Sequence, residues 1–502
     1  MIIAGVYLLI ILFFIYKNGL FGIFVDKSIS PLQFTVFFVL KCLAIPVFYY
    51  IYQFYYGGIE NYDAGNFLKD SKIINSIFYE SPFEYIKLMF GLENDAENTE
   101  LYSKFISHTN NWDEGRSWRL FFNDNRSLLR IHSLIHFISF NSYYVHALFS
   151  CLFGYIGIAL MYRSLKHYFI SKEIWLLGVF IFLPNLWLFS GALLKEPLVL
   201  LNVGLILFLT DRLFDQKYFL LRKLTYLLLI IFIIYYLKPQ VSLTIFILYL
   251  LFKVVEVFNR KYKVIWYVGS VIVMVVLVNF SFLIFKDMSM FSFINKKQAE
   301  FYDVAKGGIF LKDSSKFVRL LYDHDLLINE KGVADVFRIK IGAPFYYWKD
   351  SNQKDTLFCA SNTDTLTKYS LIYEVVPGRS GYAISHINLN LADVGTFFES
   401  MFRALGFPYQ FGSVMKSVVS LEGIFLTLCL LLSLIGSFFV RDKNILFFLL
   451  LSSVFLLILF GIATPNVGAI VRYRCIVSPF IVLSMLYCIN HYEAGGIRKK
   501  SK

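Results

Sequence analysis

Apolar stretches separated by short polar connections run along most of this 502-residue chain. Many of them approach or exceed the roughly 20 residues that a helix needs to cross a bilayer. They lack the alternation of barrel strands, and a backbone in lipid must pair its own N–H and C=O groups. The pattern therefore predicts about eleven membrane-spanning helices, at residues 2–16, 34–56, 137–161, 174–190, 197–213, 224–237, 240–256, 264–285, 421–440, 444–462 and 472–490.

The charges of the short connections alternate along the chain and predict an orientation. The connection after the third predicted span is basic, with Arg163, Lys166 and Lys172, and the C-terminal tail is basic too. The connections in between hold few basic residues. Short basic loops lie on the cytoplasmic side of a membrane protein. We therefore expect a cytoplasmic C-terminus, and two long segments outside the cytoplasm at about 57–136 and 286–420.

Both long segments carry dense aromatic and aliphatic residues at intervals of three and four, as in Ile73-Ile74 and Ile77-Phe78 of the first segment. This spacing is typical of amphipathic helices at a membrane interface. We therefore predict an all-α integral membrane fold with two long extracytoplasmic segments containing amphipathic helices. Its three parts are an N-terminal bundle at 1–285 that includes the outer loop 57–136, the large outer segment 286–420, and C-terminal helices with a basic tail at 421–502.

The composition agrees with a membrane protein and excludes several other classes. Hydrophobic residues make up 57% of the chain and charged residues 17%. The net charge of +13 is scattered over short loops without forming a stripe, which argues against nucleic-acid binding. The six cysteines form neither a disulfide framework nor a Cys/His metal spacing. No P-loop, dinucleotide turn or nucleophile motif is present, so soluble nucleotide chemistry is not expected.

Asp63 is the first candidate for chemistry, because it follows the second predicted span directly at the outer face. A carboxylate there could act as a general base towards an acceptor hydroxyl, or could hold a metal. Asp70 would fall on the same helix face two turns later. The alternative is structural, since Asp is a favoured N-cap for a helix beginning at Ala64.

The second candidate is the outer turn 190–197, which reads Ser-Gly-Ala-Leu-Leu-Lys-Glu-Pro. Lys195 and Glu196 are costly beside apolar helices unless they are paired or hydrated. Adjacent helical residues do not face each other, so each should have its own partner. Lys195 could neutralise a phosphate of a lipid carrier; the alternative is a lysine that extends to interfacial water.

The third candidate is the junction 465–474, which reads Pro-Asn-Val-Gly-Ala-Ile-Val-Arg-Tyr-Arg. Arg472 and Arg474 interrupt the scarcity of outer basic residues, and a guanidinium binds phosphate oxygens through two parallel hydrogen bonds. In a helix the two side chains would point to roughly opposite sides. The alternative is a structural pairing with carboxylates of the outer loops.

Weaker candidates are Arg130 and His132 before the third span, Lys238 at an outer hairpin tip, and the triplet Asp323-His324-Asp325. Arg130 could face the outer cavity or anchor the interface, and Lys238 reads as part of an ordinary turn. The triplet has the spacing of a small metal site, but such spacings also arise by chance.

Taken together, these positions resemble the multispanning membrane glycosyltransferases of the GT-C fold, and similar membrane proteins of bacterial envelope-polysaccharide loci. That family has a catalytic carboxylate early in its first large outer loop, where this chain has Asp63 in Tyr-Asp-Ala-Gly-Asn-Phe. The 190–197 turn, the 466–474 junction and Leu-Gly-Phe-Pro-Tyr-Gln at 405–410 also resemble recurring features of the polysaccharide-locus proteins.

The resemblance implies transfer of a sugar from a polyprenyl-phosphate carrier to a glycan, lipid or protein acceptor, at the outer face of the bacterial cytoplasmic membrane. Asp63 would be the catalytic base. The substrate-binding residues would be Lys195, Glu196, Arg472, Arg474, Asp70 and Arg130. The extra first span and the missing Asp-x-Asp motif depart from the family, so a divalent cation is compatible with the site but not required.

Two other functions remain open. The long outer segment before the last three spans also resembles O-antigen polymerases and ligases, which use outer arginines, and Arg379 would suit that role. A transporter or flippase would need charges at mid-membrane and repeated halves. The sequence pattern indicates neither, because the predicted spans look clean in their middles.

Overall fold

The computed structural model describes residues 2–92, 99–112, 123–169, 172–217, 219–258, 262–286, 289–292, 294–295, 308–311, 344–349, 355–359, 371–376, 387, 393–440, 443–464 and 467–500. Helices dominate this part of the chain. The first nine are α1 Ile2–Gly22, α2 Pro31–Cys42, α3 Ala44–Tyr50, α4 Asp63–Glu80, α5 Pro82–Met89, α6 Glu100–Lys104, α7 Asp124–Ser139, α8 Tyr143–Leu165 and α9 Glu173–Phe182. The remaining nine are α10 Pro184–Phe189, α11 Glu196–Phe214, α12 Leu220–Tyr236, α13 Pro239–Phe258, α14 Lys263–Lys286, α15 Gly395–Ala404, α16 Val414–Gly436, α17 Asn444–Ala463 and α18 Val467–Lys500.

Eight helical stretches within the described residues are long and apolar enough to cross a membrane. They are Pro31–Tyr55, Tyr143–Tyr168, Glu196–Phe214, Pro239–Val257, Lys263–Ser281, Val414–Gly436, Asn444–Ile462 and Gly468–His491. The first includes α2, α3 and a π-turn at Ile51–Tyr55. The chain is therefore an α-helical membrane-embedded protein, as the hydrophobic pattern predicts.

These eight stretches correspond to eight of the predicted spans. The other three predicted spans fall on α1, on α9 with α10, and on α12, which are not among the eight. The predicted span 174–190 is broken at Leu183, which is extended (φ −65°, ψ 120°). Pro184 explains the break, because proline disfavours helical backbone in the residue before it. The predicted start at 137 was also wrong, since α7 ends at Ser139 and α8 begins at Tyr143.

The segment after the second span folds into the amphipathic helices expected from its spacing. On α4 the apolar residues Phe67, Ile74 and Ile77 are buried. Their spacing of seven and three residues keeps them on one face, and α4 packs against α7. A loop at 105–112 is held against α4 by Asp70.

The large segment at 286–420 combines a helix with strands that the sequence reading did not predict. Its described strands are β1 Gly308–Leu311, β2 Pro344–Lys349, β3 Asp355–Cys359 and β4 Leu371–Val376. They form an antiparallel sheet in the order β1-β4-β2-β3. Stretches such as Phe-Tyr-Tyr-Trp and Leu-Ile-Tyr favour strands, because aromatic and β-branched side chains suit a pleated surface. The expected amphipathic helix is α15.

Two compact units divide the chain. One comprises 1–274, 409–456 and 472–502, and the other comprises 275–408 and 457–471. The predicted three-part division stays a prediction. Every contact that builds the candidate site described below lies within the first unit.

The crossing of α8 and α11 forms the centre of the first unit. Gly157 on α8 faces the backbone carbonyl of Leu200 on α11, and Gly204 faces the carbonyl of Gly157. A side chain at either glycine would collide with backbone, which cannot move aside as a flexible side chain can. Small residues of this kind let two membrane helices approach closely.

Gly157→Leu should therefore lower the thermal midpoint of the detergent-solubilised protein, because overpacking costs about 1–3 kcal/mol. Gly269→Leu on α14 is the matched control, since nothing lies within 4 Å of a Cβ at that position. Equal midpoints for the two variants, measured by heating followed by size-exclusion chromatography, would show that the crossing tolerates a side chain.

Candidate functional site

Five separate segments of the first unit bring charged residues together at the ends of its helices. We call this group the polar cluster. Its members are Asp63 at the start of α4, Asp124 at the start of α7, Lys195 and Glu196 at the start of α11, Lys238 just before α13, and Arg472 and Tyr473 in the first turns of α18. All of them lie in or beside connections that the charge pattern predicts to be extracytoplasmic.

Arg472 joins two carboxylates in the polar cluster. Its Nη1 donates to Asp63 Oδ2 at 2.6 Å, and its Nε lies 3.1 Å from Glu196 Oε1. The two acids differ in environment, because the Asp63 side chain is 52% exposed and that of Glu196 is 0% exposed. One guanidinium therefore connects a solvent-facing acid to a fully buried one.

Lys238 is the second cation on the buried glutamate. Its Nζ lies 3.6 Å from Glu196 Oε1 and 3.5 Å from the centre of the Tyr473 ring. Its backbone N–H donates to Asp124 Oδ1 at 2.8 Å, which holds the residue in a left-handed conformation (φ +44°). A non-glycine residue in this region is strained, and such strain is concentrated at functional sites.

Lys195 is half-buried, and its Nζ lies 6.0 Å from the centre of the Phe67 ring. Burial lowers the pKa of Lys195; Asp124 opposes this shift, while the neighbouring charges of Lys238 and Arg472 add to it. Three cations thus lie within electrostatic range of one another, which is an arrangement suited to an anion.

The structure does not place Asp63 at the N-cap position of a helix. The helix α4 begins at Asp63 itself, and Tyr62 occupies the N-cap position. The Asp63 carboxylate reaches across to Arg472, 409 residues away in the chain. An acid in the first turn also interacts favourably with the helix dipole.

Three of the predicted substrate-binding residues lie in other surroundings. Asp70 is fully buried and accepts hydrogen bonds from the backbone of Asn110 and Asn111. Arg130 is buried, and its Nε donates to the Leu88 carbonyl at 2.7 Å. Arg474 points away from Arg472, as expected for a helix. Their roles as binding residues stay predictions.

Arg474 lies in a second buried polar group, beside α16. Its Nη1 donates to the Val419 carbonyl at 3.0 Å. Nearby, Glu422 accepts from the backbone N–H of Asn185 at the break between α9 and α10. Arg474 and Glu422 are 1% and 5% exposed.

The prediction that the spans hold no charged residue in their middles is wrong at Lys41. It lies inside the span Pro31–Tyr55 and is fully buried, and its Nζ donates to the Ser190 hydroxyl. Ser190 in turn donates to the Leu186 carbonyl. An intramembrane lysine is expensive unless it is hydrogen-bonded. Here it fixes the start of the turn that carries Lys195 and Glu196.

Sequence reasoning missed Lys238, Asp124 and Tyr473 as members of the polar cluster. The sequence predicts an ordinary turn at Lys238. Basic residues are scarce on the predicted extracytoplasmic side, and this scarcity could have marked Lys238 as a site candidate. The sequence around Asp124 and Tyr473 does not predict that they belong to the polar cluster, because their contacts join segments far apart in the chain.

The predicted site residues include no clear metal centre. Among the described residues, no group of three or more His, Cys, Asp and Glu side chains could hold a metal ion. The triplet at 323–325 and Arg379 lie outside the described residues. A divalent cation therefore stays an expectation without an assigned ligand set.

No family model, no curated protein and no solved structure matches this chain.

A histidine cluster lies next to Arg130, where α7 meets α8. His132 Nδ1 lies 3.0 Å from His146 Nδ1, and the rings of His136 and His146 lie 4.2 Å apart between centroids. Burial lowers the pKa of His132 to about 3 and that of His136 to about 4. Both are therefore neutral in the folded protein at neutral pH.

The folded protein should lose stability as the pH falls below about 6.5, the usual pKa of histidine. The unfolded chain takes up protons there while buried His132 and His136 do not, which costs about 1.4 kcal/mol per pH unit for each residue. Thermal midpoints measured between pH 7 and pH 5 test this. His136→Asn should flatten the slope, and an unchanged slope would contradict the assignment.

Burial also predicts how the two acids that contact Arg472 contribute to stability. Glu196→Ala should destabilise the protein by about 3–5 kcal/mol, because it leaves Arg472 and Lys238 without their shared buried carboxylate. Asp63→Ala should cost about 0–1 kcal/mol, as expected for an exposed ion pair. Unfolding of both variants in the same detergent decides the point, and equal losses would contradict the difference in burial.

Proposed function

We propose that this chain is a membrane glycosyltransferase of the GT-C type. It would move a sugar from a polyprenyl-phosphate carrier to a glycan, lipid or protein acceptor on the outer face of the bacterial cytoplasmic membrane, in the synthesis of envelope polysaccharide. The observation that carries the proposal is the ion pair between exposed Asp63 and Arg472, which joins a carboxylate to a cluster of cations at the ends of membrane helices.

The cations of the polar cluster suit the phosphate of a lipid carrier. Arg472 offers a planar guanidinium that can donate two parallel hydrogen bonds to phosphate oxygens. Lys195 and Lys238 add compact positive charges within electrostatic range of it. Because the cluster lies at the ends of spans, a carrier with its chain in the bilayer could present its headgroup there.

Asp63 supplies the acid–base chemistry that such a transfer needs. The acceptor hydroxyl oxygen would attack the anomeric carbon, and the bond from that carbon to the phosphate oxygen would break. The bonding electrons leave with the carrier phosphate, where the cations stabilise the charge. The hydroxyl proton passes to the Asp63 carboxylate. Exposure of this side chain gives an acceptor room to approach.

The orientation and the number of spans belong to the same proposal. An extracytoplasmic cluster requires the cytoplasmic C-terminus that the basic connections predict. The apolar helices α1, α9 and α12 would complete the eleven spans of the sequence reading. A site on this side faces away from nucleotides and towards lipid-linked substrates.

Asp63→Asn should reduce sugar transfer by about 10²–10⁴-fold, the usual contribution of a general base. The assay would follow loss of the lipid-linked sugar in membranes containing the full chain. Glu60→Gln is the matched control, because Glu60 is an exposed acid three residues earlier on the same loop, and it should retain full transfer.

Transfer that survives in Asp63→Asn membranes would overturn the glycosyltransferase assignment. If Arg379→Ala abolishes activity in the same assay while Asp63→Asn retains it, the chain is instead a polymerase or ligase of envelope polysaccharide. Transport of an intact lipid-linked sugar without transfer would identify a flippase.

A further inference from the structure

Arg472 is bound by two acids that differ in how readily they can let it go. Asp63 contacts the terminal Nη1 atom and is 52% exposed, so water can solvate its carboxylate if the ion pair opens. Glu196 contacts the inner Nε atom and is 0% exposed. A carboxylate without access to water cannot lose its cation without a large desolvation penalty. Of the two acids, Asp63 is therefore the one that can release Arg472.

An incoming phosphate would compete with Asp63 for the same donor atoms. The outer end of the guanidinium is the part that forms paired hydrogen bonds with phosphate oxygens. In the structure Asp63 Oδ2 accepts from that end at 2.6 Å. Glu196 would keep hold of Nε, and with it the position of the side chain. The guanidinium can therefore exchange its exposed partner without leaving the polar cluster.

We propose that the Asp63–Arg472 ion pair is a latch that a phosphate-bearing ligand opens. Phosphate takes the outer end of Arg472, supported by Lys195 and Lys238, and Asp63 gives up its contact with Arg472. The ligand carries a phosphate or diphosphate group, either as a lipid headgroup or as a free anion. The use of the released carboxylate as a base rests on the proposed function, whereas the exchange of partners does not.

The latch imposes an order on the reaction. While Asp63 Oδ2 accepts from Arg472, that oxygen is occupied by the ion pair. The carboxylate becomes available once the donor phosphate is bound. The donor therefore binds before the acceptor becomes reactive, and the base is held back while no donor is present.

If Asp63 acts as a latch, removing its charge should change the phosphate affinity in the opposite direction from removing an ordinary binding residue. If Asp63 helped to hold the ligand, removing its charge would weaken binding. If Asp63 competes with the ligand, Asp63→Asn should tighten phosphate binding, by about fivefold for an ion pair worth roughly 1 kcal/mol. Asp63→Glu keeps the charge and should bind like the parent protein.

The experiment measures binding of farnesyl diphosphate and of inorganic pyrophosphate to the purified full chain in nanodiscs, by calorimetry. Asp63→Asn should bind the probe more tightly than the parent protein, and Arg472→Gln should bind at least about tenfold more weakly, since a charge-assisted hydrogen bond is lost. Glu60→Gln controls for the loss of an exposed negative charge and should leave the affinity unchanged. Thermal midpoints confirm that each variant is folded.

An affinity of Asp63→Asn that is equal to or weaker than that of the parent would overturn the latch, and so would equal tightening in Glu60→Gln. Tightening towards farnesyl diphosphate alone identifies a lipid-borne phosphate, and tightening towards both probes identifies the phosphate group itself. The proposed function fails separately: transfer retained in Asp63→Asn with tightened binding leaves the latch intact, whereas transfer lost with unchanged binding refutes the latch only.

Discussion

The buried carboxylate of Glu196 is the contact on which the arrangement of the polar cluster depends. It is shared by Arg472 and Lys238, which come from helices far apart in the chain. A buried acid needs cations, and buried cations need an acid, so each of the three fixes the others. Asp63, the exposed member of the cluster, is positioned by this inner group and contributes little to holding it together.

The cluster also depends on supports at a distance from it. Lys41 holds Ser190 at the start of the turn that ends in Glu196. Asp124 holds the backbone of Lys238 in its left-handed conformation. The close crossing of α8 and α11 fixes the helix that begins at Glu196. Polar side chains at the helix ends are thus set in place by helix packing and by hydrogen bonds inside the membrane-spanning part.

The sequence predicted those features that depend on neighbouring residues. Hydrophobic length located the eight helical stretches that, among the residues the structure describes, are long and apolar enough to cross a membrane. Spacing identified α4 as amphipathic. The scarcity of basic residues on one side drew attention to Lys195 and Arg472. It did not identify Lys238 or Asp124, whose roles arise from contacts across more than a hundred residues. Pro184 could have indicated the break at Leu183. The residues on both sides are apolar, however, so the hydrophobic pattern looks like one continuous span.

The distance along the chain between Asp63 and Arg472 has a consequence for biosynthesis. Arg472 lies in the first turns of α18, so the ribosome adds it 409 residues after Asp63. Until then, Glu196 and Lys238 are already inserted without their guanidinium partner, and Asp63 has no Arg472 beside it. A nascent chain therefore cannot assemble the polar cluster until the first turns of α18 have been made.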